Sequence, residues 1–460
     1  MYYPSLVTIA IAGANGFVGR ALARRLAGAG HRVIGLTRGP VAERAPGIEW
    51  RRCDLFSLLQ CEESLAGAEQ AVYLVHSMLP SAHLTQGAFQ DMDLIIADNF
   101  ARAAAKAGLR QTVYLGGLIP EGPALSRHLQ SRLEVERTLG SRGTPLTALR
   151  AGIVIGAGGS SFQMMLKLVR RLPLIFCPPW ARTPSHPIAL ADLLELLVFC
   201  LERPSPASRQ FDIGCPEILS YRQMLERIAR LLGFERLFVD VPLRGTFWCR
   251  RWLRLVTGAP KELVVPLLES MRHPMVAKDR RLQEQAGLPG LSFDEAVRKA
   301  LQEPPAPPGR RAAPQHNVRS VQRIPLPPGR SARWAAERYG EWLPRLFKSL
   351  LRAERDAGGR VRLMLAFPRL CLIEHEFSTD RSQSPDRQVY YITGGLLARK
   401  DRRLTRRPRI EFREALNGSC LLVAIHDYRP TLPWFLYNLT QAPLHLWVMR
   451  GFARQLQGLK

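Results

Sequence analysis

The sequence predicts an α/β protein with a doubly wound parallel sheet, followed by a smaller α+β domain. In the first 150 residues, short apolar runs alternate with segments of helical periodicity, which is typical of a parallel sheet covered on both faces. A glycine-rich turn joins the first run to the first helix, and a proline-rich stretch near residue 310 ends the pattern. At 460 residues, the chain exceeds what one hydrophobic core usually supports, so two domains are expected.

The turn after the first strand reads Gly-Ala-Asn-Gly-Phe-Val-Gly over residues 13–19. Gly13 permits a tight turn, Gly16 leaves space for phosphates, and Gly19 lets the following helix approach the strand. The helix N-terminus adds N–H donors and the positive end of its dipole. We therefore predict a site for a dinucleotide pyrophosphate, the alternative being an ordinary strand-to-helix turn. The residues assigned to it are Gly13, Asn15, Gly16, Phe17, Val18 and Gly19.

The remaining elements of the first domain continue this alternation. Strands are predicted at residues 6–12, 33–37, 48–51, 71–76, 111–115 and 146–151, with helices at 21–29, 94–107 and 126–139. After residue 156 helices mix with short strands around Phe211 and Phe238. This mixture predicts a substrate lobe, mainly residues 156–302, over the cofactor crevice.

The stretch 303–330 is rich in proline, which favours an extended and poorly packed linker. We accordingly place the first domain at residues 1–302 and the second at 331–460. In the second domain we expect a helix at 333–355, a closing helix from about residue 431, and an antiparallel sheet that grips the closing helix. The predicted strands of that sheet lie at 361–366, 370–377, 389–392, 409–416 and 419–426.

Composition limits the classes of partner. The net charge is +26 and the pI is near 10.7, but basic residues are spread along the chain without interleaved aromatics, so a nucleic-acid partner is not expected. The eight cysteines and the histidines show no zinc-ligand spacing, and no metal site is expected. The N-terminus lacks a secretory pattern, which favours a cytoplasmic location. Residues 432–460 are rich in aromatics and could instead lie on a membrane surface.

Five segments carry a family resemblance: residues 13–19, Cys-Asp-Leu at 53–55, Val-Tyr-Leu-Val-His at 72–76, and the stretches 149–156 and 186–192. In this order they resemble the extended short-chain dehydrogenase/reductases, which have a Rossmann-type fold. The chain is most similar to atypical, NmrA-like members that continue into a helix-grip domain of the polyketide-cyclase/START type. The resemblance implies that Asp54 and Leu55 flank the adenine, although Asp54 could be a loop or cap residue. It also implies that the nicotinamide ribose is approached by Val75, His76 and Ser77.

The end of the second strand bears on the choice of cofactor. An NAD-specific site usually presents Asp or Glu there to the ribose hydroxyl, but this sequence reads Gly-Leu-Thr-Arg over 35–38. Arg38 would attract a 2′-phosphate, so NADP is favoured over NAD. The alternative is that Arg38 points into solvent.

The resemblance implies a catalytic tyrosine followed four residues later by a lysine, but His128 and Arg132 stand at these positions. One helical turn places both on one face, where His128 could donate a proton and Arg132 could bind the ribose. The alternative for His128 is a helix position without a catalytic role. Gly116 and Gly117 replace the expected substrate-polarising serine.

The predicted function is an NAD(P)(H)-binding, atypical short-chain dehydrogenase/reductase with non-standard oxidoreductase activity on a hydrophobic carbonyl compound. Because the usual catalytic residues are replaced, a catalytically silent NADP(H) redox sensor or assembly factor is the main alternative. A lipid- or quinone-binding protein at the membrane is the third.

Overall fold

The computed structural model describes residues 6–39, 45–76, 82–122, 125–242, 247–258, 260–304, 315–347, 350–356, 360–399 and 407–458. The chain divides into two compact units. The first unit comprises residues 1–79 and 96–312, and the second comprises residues 80–95 and 313–460.

The elements follow one another along the chain, with a 3-10 helix at Pro179–Arg182. The strands are β1 (Thr8–Ala12), β2 (Arg32–Thr37), β3 (Ile48–Arg52), β4 (Gln70–Tyr73), β5 (Ala82–Gln86), β6 (Gln111–Gly117), β7 (Leu146–Ala151), β8 (Val154–Ile155), β9 (Leu174–Cys177), β10 (Pro184–Ser185), β11 (Ile188–Ala189), β12 (Arg209–Ile213), β13 (Leu219–Ser220), β14 (Leu237–Asp240), β15 (Gln315–Pro325), β16 (Leu351–Arg355), β17 (Arg360–Leu365), β18 (Leu370–Phe377), β19 (Arg387–Gly394), β20 (Arg409–Ala415) and β21 (Cys420–Tyr428). The helices are α1 (Phe17–Gly28), α2 (Leu58–Leu65), α3 (Phe89–Lys106), α4 (Arg127–Leu139), α5 (Ser160–Arg171), α6 (Leu190–Glu202), α7 (Tyr221–Leu231), α8 (Phe247–Thr257), α9 (Lys261–Ser270), α10 (Arg281–Gln285), α11 (Phe293–Gln302), α12 (Ala332–Leu346), α13 (Trp434–Leu439) and α14 (Gln441–Gln457).

The first unit is built on a parallel sheet in the order β12-β7-β6-β4-β1-β2-β3. Consecutive residues Ile9, Ala10 and Ile11 of β1 are all fully buried, so both faces of the sheet are covered. Leu22 and Leu26 of α1 belong to the core on one face. The predicted Rossmann-type α/β fold is therefore confirmed.

A second core lies in the lobe that follows β7. It joins Phe162 and Val169 of α5 to Met224 and Ile228 of α7 and to Phe293 of α11. Three short strand pairs, β8 with β11, β9 with β14 and β10 with β13, connect these helices. Because α7 and α11 both begin with a capping box, their first turns are fixed locally.

The second unit contains a mixed sheet in the order β16-β17-β18-β19-β20-β21-β15-β5. All its pairs are antiparallel except β15 with β5. Phe452 and Leu456 of α14 pack with Ala335 of α12 and with Phe412 and Val423 of the sheet.

Three expectations for the second half differ from the structure. The helix expected over 333–355 ends at Leu346, two residues after Pro344, and its last part forms β16. Part of the stretch expected to be a poorly packed linker is β15, whose Val318, Val321 and Ile324 are buried. A bulge between Val318 and Ser320 breaks the two-residue periodicity there, which hides this strand from pattern analysis. The closing helix is divided at Thr440 into α13 and α14.

Candidate functional site

The glycine turn between β1 and α1 leaves almost no space for side chains. Gly13 has a φ of +89°, and a Cβ atom there would lie 3.3 Å from the carbonyl carbon of Leu74. A Cβ atom on Gly19 would lie 2.2 Å from the carbonyl oxygen of Gly13 and 2.8 Å from Cα of Ala14. The turn is closed by a 2.9 Å hydrogen bond from the Gly16 N–H to the Gly13 carbonyl. Glycine is thus required at positions 13 and 19 by the backbone itself.

The N-terminus of α1 is suited to an anion. Its N-cap residue is the exposed Gly16, so no side chain caps the first N–H groups of the helix. These N–H groups and the helix dipole favour a negatively charged ligand. The neighbouring Oδ1 atom of Asn15 is buried and has no hydrogen-bond partner among the described residues. A buried acceptor without a donor is costly, and a bound ligand could supply the missing donor.

Phe17, the first residue of α1, packs against a second glycine-rich turn, which sequence analysis did not single out as a contact. Added Cβ atoms on Gly156 and Gly158 would each lie 2.7 Å from atoms of the Phe17 ring, and one on Gly159 would lie 3.3 Å away. This turn immediately precedes α5. The cofactor loop and the start of α5 are therefore packed together, and the clustered glycines at 156, 158 and 159 are its signal in the sequence. Val18 packs against the core of the parallel sheet.

Two predicted site residues meet at the carboxyl edge of the sheet. His76 follows β4, and His128 lies in the first turn of α4, whose N-cap Ser126 accepts a hydrogen bond from the Leu129 N–H. Nε2 of His76 and Nδ1 of His128 are 3.2 Å apart, and the ring centroids are 4.9 Å apart. One ring must donate and the other accept, so at least one imidazole of the pair is neutral while the bond exists.

Arg132 lies one turn further along α4. Its guanidinium donates a hydrogen bond to the Leu115 carbonyl and lies over the Tyr114 ring, 5.2 Å from the centroid. The Tyr114 hydroxyl donates to the Arg132 carbonyl at 3.3 Å. These contacts fasten α4 to the end of β6 and hold Arg132 at the same edge as the histidine pair.

Glu136, one further turn along the same face of α4, is paired with an arginine of the sheet. Glu136 accepts two hydrogen bonds from Arg150 of β7, at 2.9 and 2.6 Å. The hydrogen bond with Glu136 is the main cause that raises the pKa of Arg150. Arg150 therefore remains a cation, and the pair links α4 to the sheet.

The residues expected near the adenosine half lie after β2 and β3. Arg38 is exposed and follows β2 directly. The Asp54 carboxylate accepts a hydrogen bond from the Phe56 N–H at 3.4 Å, as a loop residue would. Leu55 is buried, and its carbonyl accepts a hydrogen bond from Asn99 at 2.8 Å.

Of the two glycines that replace the expected substrate-polarising serine, Gly117 has space for a side chain and Gly116 does not. A Cβ atom on Gly117 would meet nothing within 4 Å, whereas one on Gly116 would lie 2.9 Å from the Tyr114 ring. Val75 is half-buried at the end of the strand, and Ser77 lies outside the described residues.

Across the described ranges, no group of three or more His, Cys, Asp or Glu side chains is placed to hold a metal ion. No helix in the described part of the chain is both long and apolar enough to cross a bilayer.

Comparison with known proteins finds a family match in the first part of the chain. Residues 9–126 match the NAD dependent epimerase/dehydratase family. The auxiliary protein GraX of Staphylococcus aureus (strain NCTC 8325 / PS 47) is 28% identical over 140 residues, which cover 30% of this chain and 42% of GraX. The match thus spans less than half the length of that relative.

Two solved structures show the same fold at low identity. A nucleoside-diphosphate-sugar epimerase from Staphylococcus aureus is 12% identical, with a TM-score of 0.52 over 63% of this chain and 99% of its own. The Bordetella bronchiseptica enzyme WbmG, in complex with NAD, is 16% identical, with a TM-score of 0.50 over 65% and 93%. Both likenesses are to the fold.

Proposed function

We propose that this protein binds a nicotinamide dinucleotide and reduces a hydrophobic carbonyl compound. The proposal rests on the hydrogen bond between His76 and His128 at the carboxyl edge of the parallel sheet. The glycine turn between β1 and α1 lies at the same edge. Ligands of open α/β sheets bind at this edge. The uncapped helix N-terminus and the glycine turn without space for a Cβ atom fit a dinucleotide pyrophosphate, and a ribose hydroxyl of the same ligand would donate to the buried Asn15 oxygen. Within the matched family, we place the chain among the atypical, NmrA-like members.

Each predicted cofactor residue keeps its role in this proposal. Arg38 would pair with a 2′-phosphate, so NADP is preferred and NAD is the alternative. Asp54 and Leu55 would border the adenine, and Arg132 the nicotinamide ribose. The pyrophosphate would be held by Gly13, Asn15, Gly16, Phe17, Val18 and Gly19, and the path to the nicotinamide lined by Val75, His76 and Ser77.

The proposed chemistry is a proton transfer coupled to reduction. When bound, the reduced nicotinamide supplies a hydride to the carbonyl carbon. His128 donates a proton from Nε2 to the carbonyl oxygen, which completes the alcohol, while its Nδ1 accepts a proton from Nε2 of His76 across the 3.2 Å contact. His76 enters this step as the imidazolium, leaves it as the neutral imidazole, and is reprotonated by solvent after the product departs. With glycine at 116 and 117, no serine hydroxyl polarises the carbonyl from the end of β6, so we expect slow turnover.

Replacing His128 with alanine tests this assignment. We expect H128A to lose turnover of NADPH with aldehydes and ketones while its affinity for NADPH, measured by fluorescence titration, stays unchanged. H76A should retain part of the activity with an altered pH profile, because His128 would then exchange protons with solvent. R127A, which changes an exposed neighbour on the same turn, is the matched control. Full turnover by H128A would overturn the proposal.

One observation favours a silent sensor as the second candidate. The guanidinium of Arg132 is engaged by the Leu115 carbonyl and the Tyr114 ring, so its use as a ribose ligand would require these contacts to be shared or broken. A sensor or assembly factor would bind NADPH tightly, consume none with any carbonyl compound, and capture a partner only in one redox state.

The second unit supports a third candidate, a lipid or quinone carrier in peripheral contact with a membrane. Its order of strand β15, helix α12, strands β16 to β21 and helices α13 and α14 supports the helix-grip fold that we propose for this unit. Phe435, Leu439 and Trp447 on the closing helices are 65%, 75% and 52% exposed. Exposed apolar side chains beside basic residues suit an anionic bilayer surface.

A further inference from the structure

The lobe after β7 contains an apolar cavity of about 380 Å³. Its walls come from α5, β9, the 3-10 helix, α7, α8 and α9. The lining side chains include Met164, Met165, Trp180, Trp252, Leu268 and Met271. Binding pockets for small molecules are concave, partly open and mainly apolar, and this one has these features. Burial of apolar surface against such a wall favours an apolar ligand.

The wall is electrically neutral. The described residues that line the cavity include no Asp, Glu, Lys, Arg or His. Burial raises the pKa of Tyr221 to about 12 and also raises the pKa of the Cys177 thiol, so both groups stay protonated. A diphosphate or sugar placed here would lose its hydration without gaining partners. The cavity therefore excludes sugar nucleotides and fits hydrocarbon.

Two walls of the cavity extend to the candidate site. Ser161 lies in the first turn of α5, directly after the glycine turn that packs on Phe17. At the other side, Leu268 and Met271 flank Ser270, whose Oγ is 3.3 Å from Oγ of Ser126, the N-cap of α4. His128 follows Ser126 by two residues. The elements that enclose the cavity thus touch both the cofactor loop and the helix that carries the proposed proton donor.

We infer that this cavity binds an aliphatic chain of roughly a dozen carbons, at about 30 Å³ for each CH₂ group by analogy with the volume of a liquid water molecule. The substrate is then a long-chain aliphatic carbonyl compound whose hydrocarbon part occupies the lobe and whose carbonyl end faces His128. The carbonyl part of this inference rests on the proposed function, whereas binding of the chain does not.

The experiment is a titration of the full-length protein with ω-bromoalkanols from hexanol to tetradecanol. Bromine quenches indole fluorescence, and the wall contains Trp180 and Trp252, so W180F and W252F should each remove part of the quenching. We expect affinity to rise about fourfold for each added methylene and to level off near dodecanol. M165W, which fills the cavity, should weaken binding of the long alcohols at least tenfold. L255W, on the exposed side of α8, should not.

The outcomes separate this inference from the proposed function. Length-dependent binding without NADPH consumption by the matching alkanals would support the hydrocarbon site and overturn the oxidoreductase. Reduction of short aldehydes with no dependence on chain length would support the oxidoreductase and overturn the hydrocarbon site. Displacement of the bromoalkanol by a sugar nucleotide would overturn the inference. If M165W does not fold, the length series on the unaltered protein still decides the question.

Discussion

Replacing Gly19 with alanine should abolish tight dinucleotide binding. The added Cβ atom would lie 2.2 Å from the Gly13 carbonyl oxygen, and contacts below 3.0 Å do not occur in practice, so the two groups must separate by about 0.8 Å. The position of a Cβ atom is fixed by its own backbone and the Gly13 oxygen belongs to the backbone, so no side-chain rotation relieves the overlap. Relief requires α1 to move away from the turn, and the N–H groups at its start move with it.

The size of the effect follows from those donors. A hydrogen bond to a charged group contributes about 1.5–3 kcal/mol, so misplacing one N–H would weaken NADPH binding by roughly 10- to 150-fold. Overpacking of this kind also lowers the free energy of unfolding by about 1–3 kcal/mol. Isothermal titration calorimetry with NADPH measures the first effect, and thermal unfolding measures the second.

Two further glycines of the same segment provide a graded control. A Cβ atom on Gly28, at the end of α1, would meet nothing within 4 Å, so G28A should bind NADPH normally. G16A brings its Cβ atom to 3.1 Å from the Gly13 oxygen and should fall between the other two variants. A G19A protein that is folded and binds NADPH as tightly as G28A would refute the assignment of this turn to the pyrophosphate.

Three other predictions concern the serine position, the second unit and the membrane. G117S should increase turnover at least tenfold because its side chain has space and restores a donor, whereas G116S, which meets the Tyr114 ring, should not; steady-state kinetics on both variants checks this. Burial lowers the pKa of His445 to about 4, so the unfolded chain binds a proton there near pH 6.5 and the native protein does not. The free energy of unfolding should consequently decrease by roughly 2–3 kcal/mol as pH falls from 6.5 to 4. In denaturant titrations over this range, the unfolding free energy of H445Q should depend less steeply on pH than that of the unaltered protein. Equal pH dependence of the two proteins would contradict this prediction. Flotation with anionic vesicles should drop several-fold for L439S but not for L255S, which changes a leucine of the first unit that is at least as exposed; equal flotation of the two variants would exclude α13 as a contact.

Local patterns were sufficient to predict much of the first unit. The glycines at 13, 16 and 19 and the apolar runs act over a few residues, and the structure places β1, α1 and the parallel sheet accordingly. Pairing between distant segments leaves no such local signal. Strand β5 lies beside β15, more than two hundred residues later in the chain, and neither segment was predicted to be a strand.

The candidate site shows the same division. His76 and His128 were each predicted from a motif, but their contact depends on how the ends of β4 and α4 meet in the fold, 52 residues apart in sequence. The contact of Phe17 with the glycines at 156, 158 and 159 is similarly a product of packing. Arg132 was predicted as a ribose ligand because it stands where the resembled family has a lysine, and that correspondence could not show that the Leu115 carbonyl accepts its hydrogen bond.

Because β5 belongs to the second unit, the chain cannot be cut into two fragments that each contain one complete unit. Residues 80–95 belong to the second unit although they are synthesised long before the rest of it. A fragment ending near residue 302 would keep this strand without β15, exposing unpaired N–H and carbonyl groups that promote aggregation. A fragment beginning near residue 313 would leave the outer side of β15 open. During synthesis, the early segment must likewise remain without its partner until the ribosome has delivered β15, so pairing of β5 is delayed until more than two hundred further residues have been made.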